Sequence, residues 1–407
     1  MCSALTERLS SEKTAARTYR IAGHVIRVVL EAPWTFRILT PREESALEIL
    51  RAGGDAGVFP VPADRQEELA LNEDRIGKRR LSRAEWDALS PEEQFSRRHS
   101  LDFFQYAPFE IHPSQVATDP ALQNIATDPA SHNIATDPAS HNIATDPALF
   151  EFTLHEGIPE EIWKDREKWT RVTAVDEQLP YYYGYTLGEK TIYEFYPDEG
   201  VLAGIFVMNG DYSRGDYYSS EGMGPRTVLM QVNTSLMIQY TFATAGKDTL
   251  LLHASAIRLD GKANLFFGVS GTGKSTHSRL WLENIPGCDL LNDDNPVIRF
   301  SASGECVVYG SPWSGKTLCY RNVSAPVRAL VRIERAPFNK AVRLEGLNAY
   351  ASIVAAVSTI RWNSTVMSRL VPVVEKAAMG VPCFIMQCLP DPEAAKVCKD
   401  ATFKTEN

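Results

Sequence analysis

The chain lacks several features that would have fixed its class at once. No stretch of about 18 apolar residues occurs in its 407 residues, which gives no reason to expect a membrane-spanning helix. The longest mostly apolar run lies near 349–357 and reads as a core helix. The first twenty residues have no apolar core of the secretory type, so no leader is expected there. Basic charge is not in excess. The net charge is −9, which argues against a nucleic-acid partner, because a phosphate backbone calls for a basic face. Seven cysteines are scattered without a C-x-x-C pair, and the number is odd. Free thiols in a reducing cytoplasm are the expectation, with neither a disulfide framework nor a cysteine metal site.

With 44% apolar residues, the chain can bury a sizeable core, and its length suits two or three domains. Residues 19–30 read as a strand. Thr40-Pro41 opens a short helix through Glu43 to Arg51, closed by Gly53-Gly54. From 64 to 99 the pattern is charged and helical with little apolar stripe, as in a solvated appendage. Within it Ser90-Pro91-Glu92-Glu93 predicts a capped helix start. A nine-residue unit (ATDPALQNI, then ATDPASHNI twice, then ATDPALF) repeats from Ala117. It has a Thr-Asp-Pro turn signal, no glycine and one Asp per unit, unlike calcium-binding β-helix repeats. A flexible insertion without chemistry is expected there, and a metal role for His132 and His141 is the lesser reading.

Residues 150–230 alternate short β-like runs with turns at 198–200 and 209–210 and suggest an antiparallel layer. An apolar helix over 235–245, a strand over 249–257, a turn at Asp260-Gly261 and a strand over 263–267 follow. The domain expectation is an N-terminal α+β region (1–111), the repeat loop (112–149), a β-rich layer (150–246), an α/β core (247–392) and a tail (393–407).

After the strand 263–267 comes Gly268-Val269-Ser270-Gly271-Thr272-Gly273-Lys274-Ser275-Thr276, which satisfies G-x-x-x-x-G-K-[ST] in full. Glycines let successive N–H groups face one anion, and the helix beginning near Lys274 directs its positive end at it. Gly268, Ser270, Gly271, Thr272, Gly273, Lys274, Ser275 and Thr276 are the expected nucleotide-binding residues. Lys274 would bridge the β and γ phosphates of ATP, and Ser275 would ligate Mg²⁺. A glycine-rich structural turn is the bland alternative.

A second stretch, Gly310-Ser311-Pro312-Trp313-Ser314-Gly315-Lys316-Thr317, also fits the pattern. Pro312 lacks a donor, Trp313 is bulky where the backbone must approach phosphate, and no helical pattern follows. It is rejected as a cradle. Lys316 is either a lysine reaching an anion in the reaction or a surface lysine beside a turn. Asn292-Asp293-Asp294 follows a short apolar run at the place of a metal-binding acid, with one carboxylate for Mg²⁺ and the other for the acceptor; a plain turn is the alternative. His253 in its apolar strand reads on its own as a core histidine. His277 and Asp289 read as solvent-facing.

His253-Ala254-Ser255-Ala256, the stretch 266–276 and Asn292-Asp293-Asp294 together resemble the nucleotide core of phosphoenolpyruvate carboxykinases and HPr kinase/phosphorylases, in order and spacing. The resemblance covers about 250–297 well and extends loosely to about 390. It implies an α/β fold with a carboxykinase-like mixed-sheet P-loop core and an N-terminal α+β appendage. It also implies that Asp294 and His253 bind metal with Ser275, and that Asp293 acts as base beside Lys274 and His253; Lys316 of the second stretch is the further candidate to offset charge in the reaction. The implied activity is a Mg²⁺-dependent, ATP-using kinase acting on a hydroxyl of a small molecule or protein. A non-catalytic ATP-binding regulatory module and a carboxykinase-type lyase remain alternatives. No positions in the sequence stand out as matches to the oxaloacetate-binding arginine and lysine of carboxykinases. No membrane partner is expected, and a homo-oligomer is compatible with the sequence.

Overall fold

The computed structural model describes residues 14–39, 44, 45, 47, 48, 88–111, 148–173, 181–315, 317, 319–358 and 362–403. The repeats through residue 147, Lys316, most of the helix expected after Thr40 and the charged stretch 64–87 lie outside the described residues. The described chain is a mixed α/β structure with two large mixed sheets.

The segment expected as one strand over 19–30 is a hairpin, β1 (Ala15–Ile21) and β2 (His24–Leu30). Its two-residue turn holds Ala22 and Gly23 at φ 49° and 80°, the left-handed pair that matches strand twist. Alanine in that position is an uncommon turn residue, which hid the hairpin from a sequence reading. β3 (Thr35–Phe36) pairs with β4 (Ser100–Leu101), and α1 (Pro91–Arg98) precedes β4 in the chain. Ser90 caps α1 by accepting from the Glu93 N–H, and the Glu93 carboxylate accepts from the Ser90 N–H.

β5 (Phe150–Glu156), the short α2 (Glu160–Lys164), β6 (Thr170–Arg171), β7 (Tyr181–Leu187), β8 (Lys190–Tyr196), β9 (Gly204–Met208) and β10 (Arg214–Ser219) follow. With β1 and β2 they make an eight-stranded sheet in the order β1-β2-β5-β10-β9-β8-β7-β6. The layer is not purely antiparallel, because β5 lies parallel to both β2 and β10. Neither neighbour follows it through a tight turn, so nothing local forces antiparallel pairing. α3 (Pro225–Ala243) lies against β5, β9 and β10. Gly215 lets it approach, since a Cβ there would fall 2.4 Å from the Gln239 Oε1.

The second sheet holds β11 (Thr249–Leu251), β12 (Ala254–Leu259), β13 (Lys262–Phe267), β14 (Asp289–Asn292), β15 (Val297–Phe300), β16 (Cys306–Tyr309), β17 (Ser324–Arg335), β18 (Lys340–Leu344) and β19 (Cys383–Cys388). Its order is β11-β15-β16-β17-β13-β12-β14, with β19 on the later half of β17 and β18 on β19. The helices are α4 (Lys274–Asn284), α5 (Gly346–Ala356), α6 (Ser364–Gly380) and α7 (Pro392–Phe403).

Strand alternation sorts the sheet's two faces. Leu265, Phe267 and Leu330 join a cluster that includes side chains of α3, α5, α6 and the first sheet. Phe266, Val331 and Ile333 join a second cluster with Leu280 and Trp281 of α4 and Ala394, Ala395 and Cys398 of α7. Residues set apart in sequence as a tail thus belong, through 403, to a helix packed on α4. The parallel trio β13, β17 and β19 sends its C-terminal ends to one edge, the usual place for a ligand in an open α/β sheet.

Candidate active site

The loop 268–273 joins β13 to α4 at that edge. Gly268, Gly271 and Gly273 have φ of 155°, 81° and 112°. Gly268 is also the only residue type that fits, as a Cβ would meet Thr272 Oγ1 at 2.8 Å and the Ile333 carbonyl oxygen at 2.9 Å. Gly273 is the N-cap of α4 and brings no side chain to accept from the first turn. The free N–H groups of that turn leave an anion-favouring end. Val269, Ser270, Gly271 and Ser275 are exposed there.

Lys274 is buried, and its Nζ donates to the Gly268 carbonyl at 3.1 Å. Burial lowers its pKa below the usual lysine value, against the pull of Asp294 and Asp293, which raise it. The loop lysine and the two acids therefore act on one another directly.

The acids sit on a turn built by Asn292, whose Oδ1 accepts from the N–H groups of Asp294 (3.0 Å) and Asn295 (2.9 Å). The turn given as the alternative at 292–294 is present, and Asn292 makes it, leaving the Asp293 and Asp294 carboxylates outside the turn's own hydrogen bonds. They diverge. Asp293 is 4% exposed. Its Oδ2 accepts from the Thr317 N–H at 3.1 Å and its Oδ1 from the Ser255 hydroxyl at 3.4 Å. Ser278 of α4 donates to Ser255 in turn, at 2.7 Å. Burial pushes the Asp293 carboxyl up to about 6, with Asp294 adding to the rise and the Thr317 and Ser255 bonds opposing it. Asp294 is half-buried, accepts from Asn295 Nδ2 at 2.7 Å, and lies 3.4 Å from His253 Nε2.

His253 does not sit within a continuous strand. The run expected as one strand over 249–257 breaks at 252–253 into β11 and β12. There Leu252 N–H donates to Pro296 O, His253 N–H to Ala356 O at the end of α5, and Ala254 N–H to Asp294 O. The break leaves the imidazole 44% exposed beside Asp294.

Of the second stretch, the described residues Gly310 to Gly315 and Thr317 are irregular, and no described residue between them and β17 is helical. Trp313 is buried with its ring 5.0 Å from that of Tyr240, and its Nε1 donates to the Tyr106 hydroxyl at 3.2 Å. Ser311 Oγ donates to Asn295 O, and Asn295 N–H donates to Trp313 O, so the loop is stitched to the acid turn. A Cβ on Gly315 would fall 3.1 Å from Asp294 Cβ and 3.5 Å from Asp293 Oδ2. This stretch is a wall against the two carboxylates. Lys316 is outside the described residues.

Two placements correct the sequence reading. His277 is not solvent-facing but 2% exposed, edge-on to Phe266 at 4.8 Å, and accepts from Trp281 Nε1 at 3.2 Å. Burial pushes it down to about 4, so it is a neutral packing residue near pH 7. Asp289 is half-buried and paired with Arg258 at 2.7 Å and Arg321 at 2.8 Å, a structural cluster. The reading also missed Ser255 and Ser278. Small hydroxyls inside apolar segments give no signal until the acid they face is located.

Among the described residues, no group of three or more His, Cys, Asp or Glu is arranged to hold a metal ion. Magnesium at a phosphate loop needs few protein ligands, because phosphate oxygens and water complete its shell. Asp294 and the exposed Ser275 are hard oxygen donors of the kind it takes, and they fit. Comparison with models of known families and with curated proteins finds no match for this chain.

Proposed function

We propose that the chain is an ATP-binding, Mg²⁺-dependent phosphotransferase that moves the γ-phosphoryl group to a hydroxyl acceptor, on a core like that of HPr kinases and carboxykinases. The observation that carries this reading is Asp293. It is a buried carboxylate with a pKa near 6, set against the lysine of a glycine-rich phosphate loop. A general base works best with a pKa near the operating pH. The Thr317 N–H and Ser255 hydroxyl bonds fix its orientation.

In this reading the loop N–H groups and Lys274 bind the phosphate chain. Asp293 accepts the acceptor's proton or aligns its hydroxyl, and the wall at Gly310 to Gly315 bounds the acceptor's side. Asp294 and Ser275 would hold the metal, with His253 beside them. Magnesium would supply positive charge against the phosphate chain. The Lys274 ammonium, now on the Gly268 carbonyl, turns to a phosphate oxygen.

The test is incubation with γ-labelled ATP, Mg²⁺ and a panel of hydroxyl metabolites and proteins. Transfer should fall by about a hundredfold or more in Lys274→Ala and in Asp293→Asn. Label transfer that survives both substitutions would sink the mechanism. Binding of ATP with no transfer to any acceptor would favour a regulatory module.

A further inference from the structure

One cation beside the phosphate loop has no part in the scheme above. β17 runs parallel to β13 with Arg332 opposite Phe267. The strand therefore continues three residues beyond the point where β13 gives way to the loop, and the loop rests on that overhang at Ile333. Arg335 ends the overhang. It is exposed, and its Nη2 donates to the carbonyl of Gly271 in the middle of the loop. Arg332, on the same strand, is neutralised by Glu334 at 2.6 Å. Arg335 makes no ion pair among the described residues.

The charge balance at the loop calls for such a group. Lys274 is the loop's own cation, and it already faces two carboxylates that raise its pKa. Even with one Mg²⁺ counted, Lys274 against Asp293 and Asp294 leaves a net charge of only about +1 for a phosphate chain carrying several negative charges. In the free protein Lys274 and Arg335 are both held by neutral carbonyls of the same loop, those of Gly268 and Gly271. A phosphate oxygen is the stronger acceptor for either cation, since it carries a negative charge that a carbonyl lacks and so adds an ion pair to the hydrogen bond. The planar guanidinium has further donors beyond the one engaged, and two can grip one phosphate group.

We propose that Arg335 is a nucleotide-binding residue that grips the phosphate chain from the β17 side of the loop, and that the ligand it selects is a nucleoside di- or triphosphate rather than a monophosphate. The inference rests on the nucleotide half of the phosphotransferase reading and adds a residue that no motif in the sequence marks.

The test is calorimetric titration of the full chain, with Mg²⁺, against ATP, ADP and AMP. Arg335→Ala should weaken ATP binding about tenfold or more, weaken ADP binding as well, and leave AMP unchanged. Arg335→Lys should recover part of the loss. Arg335→Gln, which can still reach the Gly271 carbonyl without a charge, should behave like Arg335→Ala. Because the side chain is exposed, melting curves of all three should overlay that of the parent. Lys274→Ala separates the two levels of the argument. If it abolishes ATP binding while Arg335→Ala binds ATP like the parent, the assignment of Arg335 is overturned and the loop reading stands. If the parent chain binds none of the three nucleotides, both fall. An equal loss for AMP and ATP would place Arg335 on the nucleoside and overturn the phosphate assignment.

Discussion

Asp293 is held where its charge is least welcome. Its carboxyl is 4% exposed and titrates near 6, against 3.8 for an ordinary aspartate. The folded chain thus holds this proton more tightly than the unfolded chain. The stability linked to it is fully present below about pH 4 and is lost as the pH rises through about 6. Asp293→Asn removes the charge while keeping an oxygen for the Thr317 N–H. It should therefore stabilise the fold by roughly 1–3 kcal/mol at pH 8 and by nearly nothing at pH 4. Thermal melts of both proteins across that range would show the curves diverging between pH 4 and 7. A constant offset at all pH values would mean that the carboxyl is not strained by burial. With Asp293 as the base proposed above, transfer activity in the parent should rise over the same interval, as ionisation that costs stability would create that base. A group kept at a cost to the fold is what a functional carboxylate looks like.

At the scale of elements, the informative contrast is between two stretches that match one motif. Both 268–276 and 310–317 spell G-x-x-x-x-G-K-[ST], and Lys274 of the first and Gly315 of the second lie near the same two acids. What separates them was legible in the residues. A strand precedes and a helix follows the first, whereas Pro312 and Trp313 occupy the second. The role of the second was not legible, because it depends on Tyr106, Asn233 and Tyr240, which lie far away in sequence. The same limit explains other misreadings. The run Thr249 to Ile257 is mostly apolar and holds no glycine or proline, so no turn signal marks the break at His253; the break is set by bonds to Pro296, Ala356 and Asp294. His277 is buried by Phe266 and Trp281 on a helix whose apolar stripe is short. Glycine positions, the capping box at Ser90 and strand alternation were readable because their physics is local. The wall gives a prediction of its own. Trp313→Phe keeps a ring against Tyr240 but drops the bond to Tyr106, which should cost about 1 kcal/mol of stability. If Trp313 also positions Thr317 against Asp293, loosening that bond removes something that lowers the Asp293 pKa. The midpoint of the pH–activity profile should then move upward. An unmoved midpoint with a lower melting temperature would confine Trp313 to packing.

At the scale of the whole molecule, the N-terminal hairpin is part of the structure that carries the site. Tyr240 donates to the Ile21 carbonyl at 3.1 Å, His24 and Thr249 share a hydrogen bond at 2.9 Å, and Arg299 donates to the Ala22 carbonyl at 3.0 Å. One cluster of buried side chains runs from Tyr19 and Phe152 through α3 to Leu265 and Leu330. Between the hairpin and β5 the chain leaves and returns at a single place. Ile111 N–H donates to Thr18 O, Leu149 N–H donates to Val25 O, and Ile111 and Ala148 both pack on Val25. Whatever lies between 111 and 148 therefore starts and ends beside the same two strands. The repeated ATDPASHNI units supply few large apolar side chains to that interval. Loop-closure entropy changes only slowly with length, by about 0.6 kcal/mol per doubling. Replacing residues 117–147 with a short glycine-serine linker should thus leave the melting temperature within a few degrees of the parent's, and leave nucleotide binding unchanged. Calorimetry and thermal melts of the shortened chain check both. A collapse of stability would mean that the repeats pack on the sheet, and loss of nucleotide binding alone would mean that they reach the site at its far edge.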